Sequence, residues 1–259
     1  MKNNKYKHMK TIKTTILSVL FICFIINFSQ AQQKFRVHED IIKPSHVMEY
    51  EGILAEMMAL VNKHKVKDAS WITLTTINSH YMYIAPISNY ADLDKPSFIT
   101  QLVEKEGAEK ISDLFDRMDK CYDTELDYTI TLDSELSYMP NGITQTPEGE
   151  NYRQNHVLYV TPSKRAVVKE KLQALKALYT SKKSKLYYRV YKSGFGTDGA
   201  YYMVAIAAKD SEDYARKGNE NKTLLGDELQ SAINDMYFNS LRYEKIEGMI
   251  RPDLAYSSK

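Results

Sequence analysis

Two predicted hairpins carry the side chains best suited to hold a small molecule. In the first hairpin, Trp71, Tyr81 and Tyr83 share one face with threonines, because side chains alternate across a strand. The matching positions of the second hairpin are Tyr187, Arg189, Tyr191 and Tyr202. Ligand pockets are mostly apolar and contain a few placed polar groups. We therefore predict an aromatic, hydroxylated cavity with one cation, suited to a small acidic or aromatic molecule.

The opposite face of the first hairpin is aliphatic, and we expect it to pack against helices. Its members are Ile72, Leu74, Met82 and Ile84. A second interpretation stays open, because aromatic residues are favoured in strands for packing alone. In that case the aromatic side chains fill a closed core and Arg189 pairs with a carboxylate.

Two histidines, His38 and His156, occupy the same position in two similar segments, each six residues before a Pro-Ser pair. A repeated histidine is able to act as an acid, a base or a metal ligand near neutral pH. No HExxH motif and no cysteine pair accompanies them, so hydrogen bonding at a strand edge is the favoured role. We keep His156 as an eighth ligand-binding candidate, assign no catalytic residue, and predict no metal and no cofactor.

The stretch GFGTDG, residues 194–199, matches the dinucleotide-binding pattern GxGxxG. That pattern needs a strand before it and a helix after it, so that phosphate meets the helix N-terminus. Here AYYMVAIAA follows, which is typical of a strand, and Asp198-Gly199 is a turn signal. A hairpin loop is therefore the predicted structure, and no nucleotide is expected.

The histidine segments belong to a longer internal repeat. Several pairs of identical residues are separated by 118 positions, and one pair by 121, which indicates duplication with a local insertion. The pairs at 118 are His38/His156, Pro44/Pro162, Leu136/Leu254 and Tyr138/Tyr256, and Tyr81/Tyr202 is the pair at 121. The segments around Tyr138 and Tyr256 form a repeated tail, predicted to clasp the neighbouring unit.

Hydrophobic periodicity gives both copies the order βαββαβ. For the first copy we predict strands at 35–42, 69–77, 80–87 and 125–132 and helices at 45–63 and 97–120. For the second we predict a strand at 152–160, a helix capped by Ser163, strands at 186–192, 200–208 and 241–250, and a helix from Ser211 that Gly218 and Gly226 break. The predicted class is α+β, with repeats at 35–140 and 152–258 and a linker at 141–151.

This order is that of the ferredoxin-like unit, whose sheet has one bare face. Two such units in one chain resemble the dimeric α/β-barrel superfamily, including antibiotic-biosynthesis-monooxygenase-like and NIPSNAP-like proteins. The resemblance covers nearly all of residues 35–258 but rests on element order and duplication. It implies a pseudo-dimeric α/β barrel and no particular activity, because fold does not fix function.

The first residues are typical of a signal peptide. A start with five lysines precedes an apolar run at 16–26 and the small-residue site Ser29-Gln30-Ala31. Removing residues 1–31 leaves 30 basic and 33 acidic side chains, so the composition does not favour nucleic-acid binding. We predict a protein exported to the periplasm or secreted, without a stable membrane anchor, and with a homo-oligomer left open.

Three functions remain open from the sequence. The first is a soluble protein that binds a small molecule in an aromatic cavity between two sheets. The second is an enzyme on the same scaffold, a cofactor-independent oxygenase or isomerase. The third is a structural or protein-interaction module with a filled core. An unfilled cavity distinguishes the first two from the third.

Overall fold

The structure, a computed structural model, describes residues 32–143 and 146–258. The predicted signal peptide at residues 1–31 lies outside the described residues, so export stays a prediction. Among the residues that the structure describes, no helix is long and apolar enough to cross a membrane.

The first half of the described chain follows the predicted order of elements. Its strands are β1 (Gln32–Ile42), β2 (Ser70–Thr76), β3 (His80–Ile87) and β4 (Tyr122–Tyr138). Its helices are α1 (Val47–His64), α2 (Phe98–Glu106) and α3 (Ala108–Met118). The single helix predicted at 97–120 is in fact two helices, because Gly107 between them has φ of 91°, which a helix cannot accommodate.

The second half contains β5 (Tyr152–Tyr159), α4 (Arg165–Ser181), β6 (Tyr188–Ser193), β7 (Tyr201–Ala208), α5 (Ser211–Leu225), α6 (Asp227–Phe238), β8 (Arg242–Ile250) and β9 (Tyr256–Ser257).

Two local predictions for the second half are wrong. Ser163 does not cap α4, whose N-cap is Lys164, because the Ser163 hydroxyl instead contacts that of Thr161. Gly218 does not break α5, whereas Gly226, with φ of 61°, does separate α5 from α6.

Eight strands form a closed antiparallel barrel. Their order is β3-β1-β4-β6-β7-β5-β8-β2, and β2 pairs with β3 to close the ring. Each half supplies four neighbouring strands, and in each half the first strand lies between the third and the fourth. The two halves meet where β4 pairs with β6 and where β8 pairs with β2. The predicted α+β barrel is therefore confirmed in its coarse architecture.

The helices pack on the outside of the barrel and create two separate cores. In the first, α1, α2 and α3 cover the sheet around Ile42 and Tyr81. In the second, α4, α5 and α6 cover the sheet around Val190 and Val204. Successive strand residues point to opposite sides, so each strand has one face toward helices and one toward the barrel interior.

The predicted tail of each half ends on the other half. The Tyr138 hydroxyl, at the end of β4, donates to the carbonyl of Ser184, just beyond α4, at 3.0 Å. The Tyr256 hydroxyl, at the start of β9, donates to the carbonyl of Val66, just beyond α1, at 2.8 Å. Both contacts tie the last strand of one half to the first helix of the other, as the clasp prediction requires.

Candidate functional site

A cavity of about 270 Å³ lies between the sheet of the second half and its three helices. The walls are mostly aliphatic. Its aliphatic lining includes Leu158, Leu175, Val204, Ile206, Leu229 and Met236. Ligand sites are typically apolar clefts of this kind with a few polar groups, and their volumes begin at about 300 Å³. The cavity is therefore of a size for a small organic molecule.

Simple periodicity brings these side chains together. Leu158 on β5 and Val204 and Ile206 on β7 all point toward the helices, because alternate residues share a strand face. On α5, Tyr214, Gly218 and Asn221 recur at helical spacing along the side that faces the sheet. Gly218 has no neighbour within 4 Å of the position that a Cβ would take, so this helix leaves open space above the sheet.

His156 is the central polar group of the cavity wall. Its Nδ1 lies 2.7 Å from the Tyr243 hydroxyl and its Nε2 lies 3.0 Å from the Tyr214 hydroxyl. A neutral imidazole has one donor and one acceptor nitrogen, so one tyrosine donates to the ring and the other accepts from it. Burial, assisted by the charge of Lys245, lowers the pKa of His156 to about 4. The imidazole is therefore neutral at physiological pH.

A second buried polar group stands at Asn221. Its side-chain amide donates to the Tyr179 hydroxyl at 2.9 Å, and its carbonyl oxygen accepts from the Ser184 hydroxyl at 2.5 Å. Burial raises the pKa of Tyr179 to about 12, so its hydroxyl stays protonated. This group fixes α5 against the end of α4.

Three of the eight predicted site residues lie on the helix side of the first half, which corrects the predicted strand face. The Trp71 indole donates to the Leu254 carbonyl at 2.9 Å and stacks on Phe98. The Tyr81 hydroxyl donates to Glu51 at 2.6 Å, and Tyr83 shares a hydrogen bond of 2.8 Å with Tyr50. The strand period fixed which residues share a face, but it could not show which face the helices cover.

The predicted residues of the second hairpin are split between the two faces. Register pairs Tyr191 with Met203 and Lys192 with Tyr202, so Tyr191 and Tyr202 point to opposite sides. Tyr202 is 4% exposed in the helix-side core, whereas Tyr191 faces the barrel interior and meets the ring of Phe35 edge-on. Grouping Tyr202 with the interior residues was therefore wrong, because the register of this hairpin differs from that of the first hairpin.

Tyr187 and Arg189 lie near the linker at a smaller cavity of about 110 Å³. Arg189 Nε donates to the Ile143 carbonyl at 2.7 Å, and Nη2 donates to the Thr146 hydroxyl at 3.0 Å. Two linker oxygens are therefore among the partners of Arg189. Of the eight candidates, only His156 lines the larger cavity.

The sequence analysis missed the residues that surround His156. Tyr214 and Asn221 lie seven positions apart on α5, and Tyr243 lies on β8, paired with Leu158 and therefore diagonal to His156 in the sheet. The helical spacing of Tyr214, Gly218 and Asn221 was the available signal. It went unused because Gly218 was assigned as the end of a helix.

No protein-family model matches the chain, and no curated protein matches it. Solved structures do match. An anthrone oxidase-like protein is 11% identical, over 87% of this chain and 93% of that chain, with a TM-score of 0.55. A proposed monooxygenase from Lactobacillus acidophilus is 10% identical, over 88% of this chain and 97% of that chain, with a TM-score of 0.50. A chlorite dismutase from Candidatus Nitrospira defluvii is 9% identical, over 87% and 93% of the two chains, with a TM-score of 0.48.

At these identities the likeness shows the fold alone. The two structures with the higher TM-scores share the dimeric α/β-barrel fold, and they align along nearly their whole length. The architecture expected from the sequence is thereby supported, while an activity does not follow from a shared fold.

Proposed function

We propose that this protein binds a small, largely apolar molecule in the cavity beneath α5 and α6. The observation that carries the proposal is a cavity of about 270 Å³ whose walls are aliphatic, with His156 and Tyr214 as its hydrogen-bonding pair. Tight packing is the rule in protein interiors, and voids larger than a water molecule are few. A cavity of this size therefore favours an occupant.

The chemistry of the walls defines the class of ligand. The described lining includes neutral His156 and several tyrosines, but Lys222 is its only charged side chain. A charged ligand inside an aliphatic cavity would lose hydration without a full set of compensating partners. We therefore infer a neutral aromatic or alicyclic molecule with one hydroxyl or carbonyl group that bonds near His156.

We also infer that the two halves are copies of one βαββαβ ferredoxin-like unit. The buried positions of α1 and α4 support this, because four of them recur with the same separation of 118 residues. These pairs are Tyr50/Val168, Leu54/Leu172, Met57/Leu175 and Val61/Tyr179. Even the left-handed residue after each helix recurs at this separation, as Lys65 and Lys183.

Extraction of the purified protein tests the binding proposal. The protein is denatured in organic solvent, and the extract is analysed by mass spectrometry for a stoichiometric compound. The same extraction is applied to Gly218→Leu, which places a side chain in the cavity, and to Gly52→Leu, at an exposed helix position with equal free space. We expect the compound in the wild type and in Gly52→Leu and its loss from Gly218→Leu. Equal amounts in both variants would place the compound elsewhere.

An oxygenase- or isomerase-like enzyme on the same scaffold is the second candidate. The observation that favours it is a neutral imidazole that lines the cavity between two tyrosine hydroxyls, an arrangement able to accept and return a proton. The names of the structural neighbours, anthrone oxidase-like protein and proposed monooxygenase, point to the same class. His156→Gln separates the two candidates: an enzyme loses turnover of the extracted compound, whereas a binding protein shows no turnover with either residue.

The third candidate is a structural or protein-interaction module with a filled core. The cavity of the second half argues against it, whereas the first half agrees with it better. Homo-oligomer formation stays a prediction, which light scattering of the purified protein tests directly.

A further inference from the structure

A second group of potential ligand atoms lies in the first half, where β1 and β4 face the helices. The imidazole of His38 and the carboxylates of Asp40 and Glu125 each offer one ligand atom, and these atoms lie within 4.8 Å of one another. Imidazole nitrogen and carboxylate oxygen are common ligands of divalent first-row transition metals. Two of the residues are on β1 and the third is on β4, so rigid strands position the set.

Asp40 gives an independent reason to expect a cation here. The side chain is 2% exposed, and its Oδ2 accepts a hydrogen bond from the Tyr50 hydroxyl. Its Oδ1 is buried and makes no hydrogen bond among the described residues, although it lies within ion-pair distance of His38 Nε2, at 3.1 Å. Leaving a buried carboxylate oxygen in this state is costly. A cation beside Oδ1 would remove that cost.

Asp127 stands on the other side of the imidazole. Its Oδ2 lies 3.3 Å from His38 Nδ1, an ion-pair contact in which Nδ1 makes no hydrogen bond among the described residues, while its Oδ1 is paired with Arg36 at 2.7 Å. Histidines that bind metals usually have a carboxylate or carbonyl at the second nitrogen, which holds the ring in place. The Arg36–Asp127 pair is suited to that positioning role, with Nε2 directed toward Asp40.

The second half shows that this set is particular to the first. At the positions 118 residues later, His156 corresponds to His38, Leu158 to Asp40 and Tyr243 to Glu125. The histidine is kept, but both carboxylates are replaced. His156 is therefore a histidine at the position equivalent to His38 that lacks the two carboxylates, which makes it a suitable comparison.

We propose that His38, Asp40 and Glu125 bind one divalent transition-metal cation, and that Asp127 positions His38 for it. The site is distinct from the cavity beneath α5 and α6, so either proposal stands without the other. Zn²⁺ is the suitable probe, because it accepts mixed nitrogen and oxygen ligands and an open position for water.

Isothermal titration calorimetry of chelator-treated protein with Zn²⁺ tests the proposal. We expect one equivalent to bind, and we expect Asp40→Asn and Glu125→Gln each to weaken binding by at least about 10-fold, since each removes a ligand. Glu125 is exposed, so its variant is expected to fold even if Asp40→Asn does not. In the wild type, bound Co²⁺ should give a visible absorption spectrum that His38→Gln changes.

Two controls distinguish this site from adventitious binding. Asp123→Asn removes another exposed carboxylate of β4, and His156→Gln removes the matched histidine. Both should bind Zn²⁺ like the wild type. The proposal is overturned if no saturable binding is found up to about 1 mM Zn²⁺, an affinity too weak for a specific site. Unchanged affinity in Glu125→Gln would overturn it as well, and a protonated His38 paired with Asp40 would then explain the geometry.

Discussion

The two halves of the barrel have the same order of elements but fill the space between sheet and helices differently. In the first half, Tyr50 and Tyr83 join Asp40 in a buried hydrogen-bonded group beneath α1. The corresponding positions of the second half carry smaller or aliphatic side chains, and the cavity lies in that half. These residues are Val168, Val204 and Leu158. Side-chain volume at a few positions thus decides whether the same frame is closed or hollow.

The repeated histidines show the same contrast in electrostatics. The Asp40 carboxylate raises the pKa of His38 against the opposing effect of burial. Burial lowers the pKa of His156 to about 4, and no carboxylate among the causes of that shift opposes it. One position of the fold therefore holds a histidine beside acids in one half and beside tyrosines in the other. Four predictions test this difference between the halves.

The largest effect is expected when Tyr50 of the first half is replaced by valine, the residue at the equivalent position of the second half. Tyr50→Val removes a fully buried ring and leaves Asp40 and Tyr83 without their partner. We expect a loss of about 4 kcal/mol in the free energy of unfolding, from the cavity and the unpaired groups together. Urea denaturation measures it. Tyr50→Phe, which keeps the ring, should lose less than half as much, and an equal loss would show that packing plays no part.

The next effect concerns pH and the second half. Because His156 has a pKa of about 4 in the folded protein and about 6.5 when unfolded, the unfolded chain binds the proton more readily between these values. The contribution of neutral His156 to the free energy of unfolding is fully present above pH 6.5. It is lost as the pH falls toward 4, which lowers the free energy of unfolding by about 3 kcal/mol. Urea denaturation at pH 7 and at pH 4.5 should show a smaller pH-dependent loss in His156→Gln than in the wild type. Identical losses would rule out the assigned burial effect.

A smaller effect is expected at Asn221. In the first half, the positions equivalent to Tyr179 and Ser184 are Val61 and Val66, which need no polar partner. Asn221→Ala removes the hydrogen-bond partner of the Tyr179 hydroxyl and one partner of the Ser184 hydroxyl, which keeps its contacts with Leu186, and should cost about 2 kcal/mol. Thermal unfolding in the Tyr179→Phe background provides the test, because the cost of Asn221→Ala should fall there. If it does not fall, the network is not a unit.

The smallest effect compares two glycines inside helices. Gly218→Ala and Gly52→Ala should each stabilise the protein by up to about 1 kcal/mol, because alanine favours the helix and, apart from the local helix backbone, no atom of the described residues lies within 4 Å of either added methyl group. Only Gly218 lines the cavity. Calorimetric titration with the extracted compound should therefore show weaker binding for Gly218→Ala alone. Weaker binding in both variants would indicate a general change in the helices.

Much of the fold could be predicted from local patterns. The spacing of Val168, Leu172, Leu175 and Tyr179 predicted a helix face, and all four are buried in α4. The repeat at 118 predicted that Tyr138 and Tyr256 have the same role, and their hydroxyls make equivalent contacts across the two halves. These predictions hold because helix and strand periods depend on neighbours along the chain.

The candidate site was predicted only at His156. Trp71, Tyr81 and Tyr83 share one face, as their alternation required, but that face turned out to be covered by α1 and α2. The partners of His156 come from α5 and β8, about 60 and 90 residues away in the chain. Sequence spacing has no means of bringing such distant positions together.

The sequence by itself determined the periodic faces, the hairpin loop at 194–199 and the order of elements in each half, since each depends on residues close in the chain. Tertiary structure alone decided which strand faces meet helices, because both sides of a twisted sheet are open to packing until the helices are placed. It also decided where space remains. A cavity is the difference between the volume that the backbone frame encloses and the volume that its side chains fill, and that difference exists only once the helices are packed on the sheet.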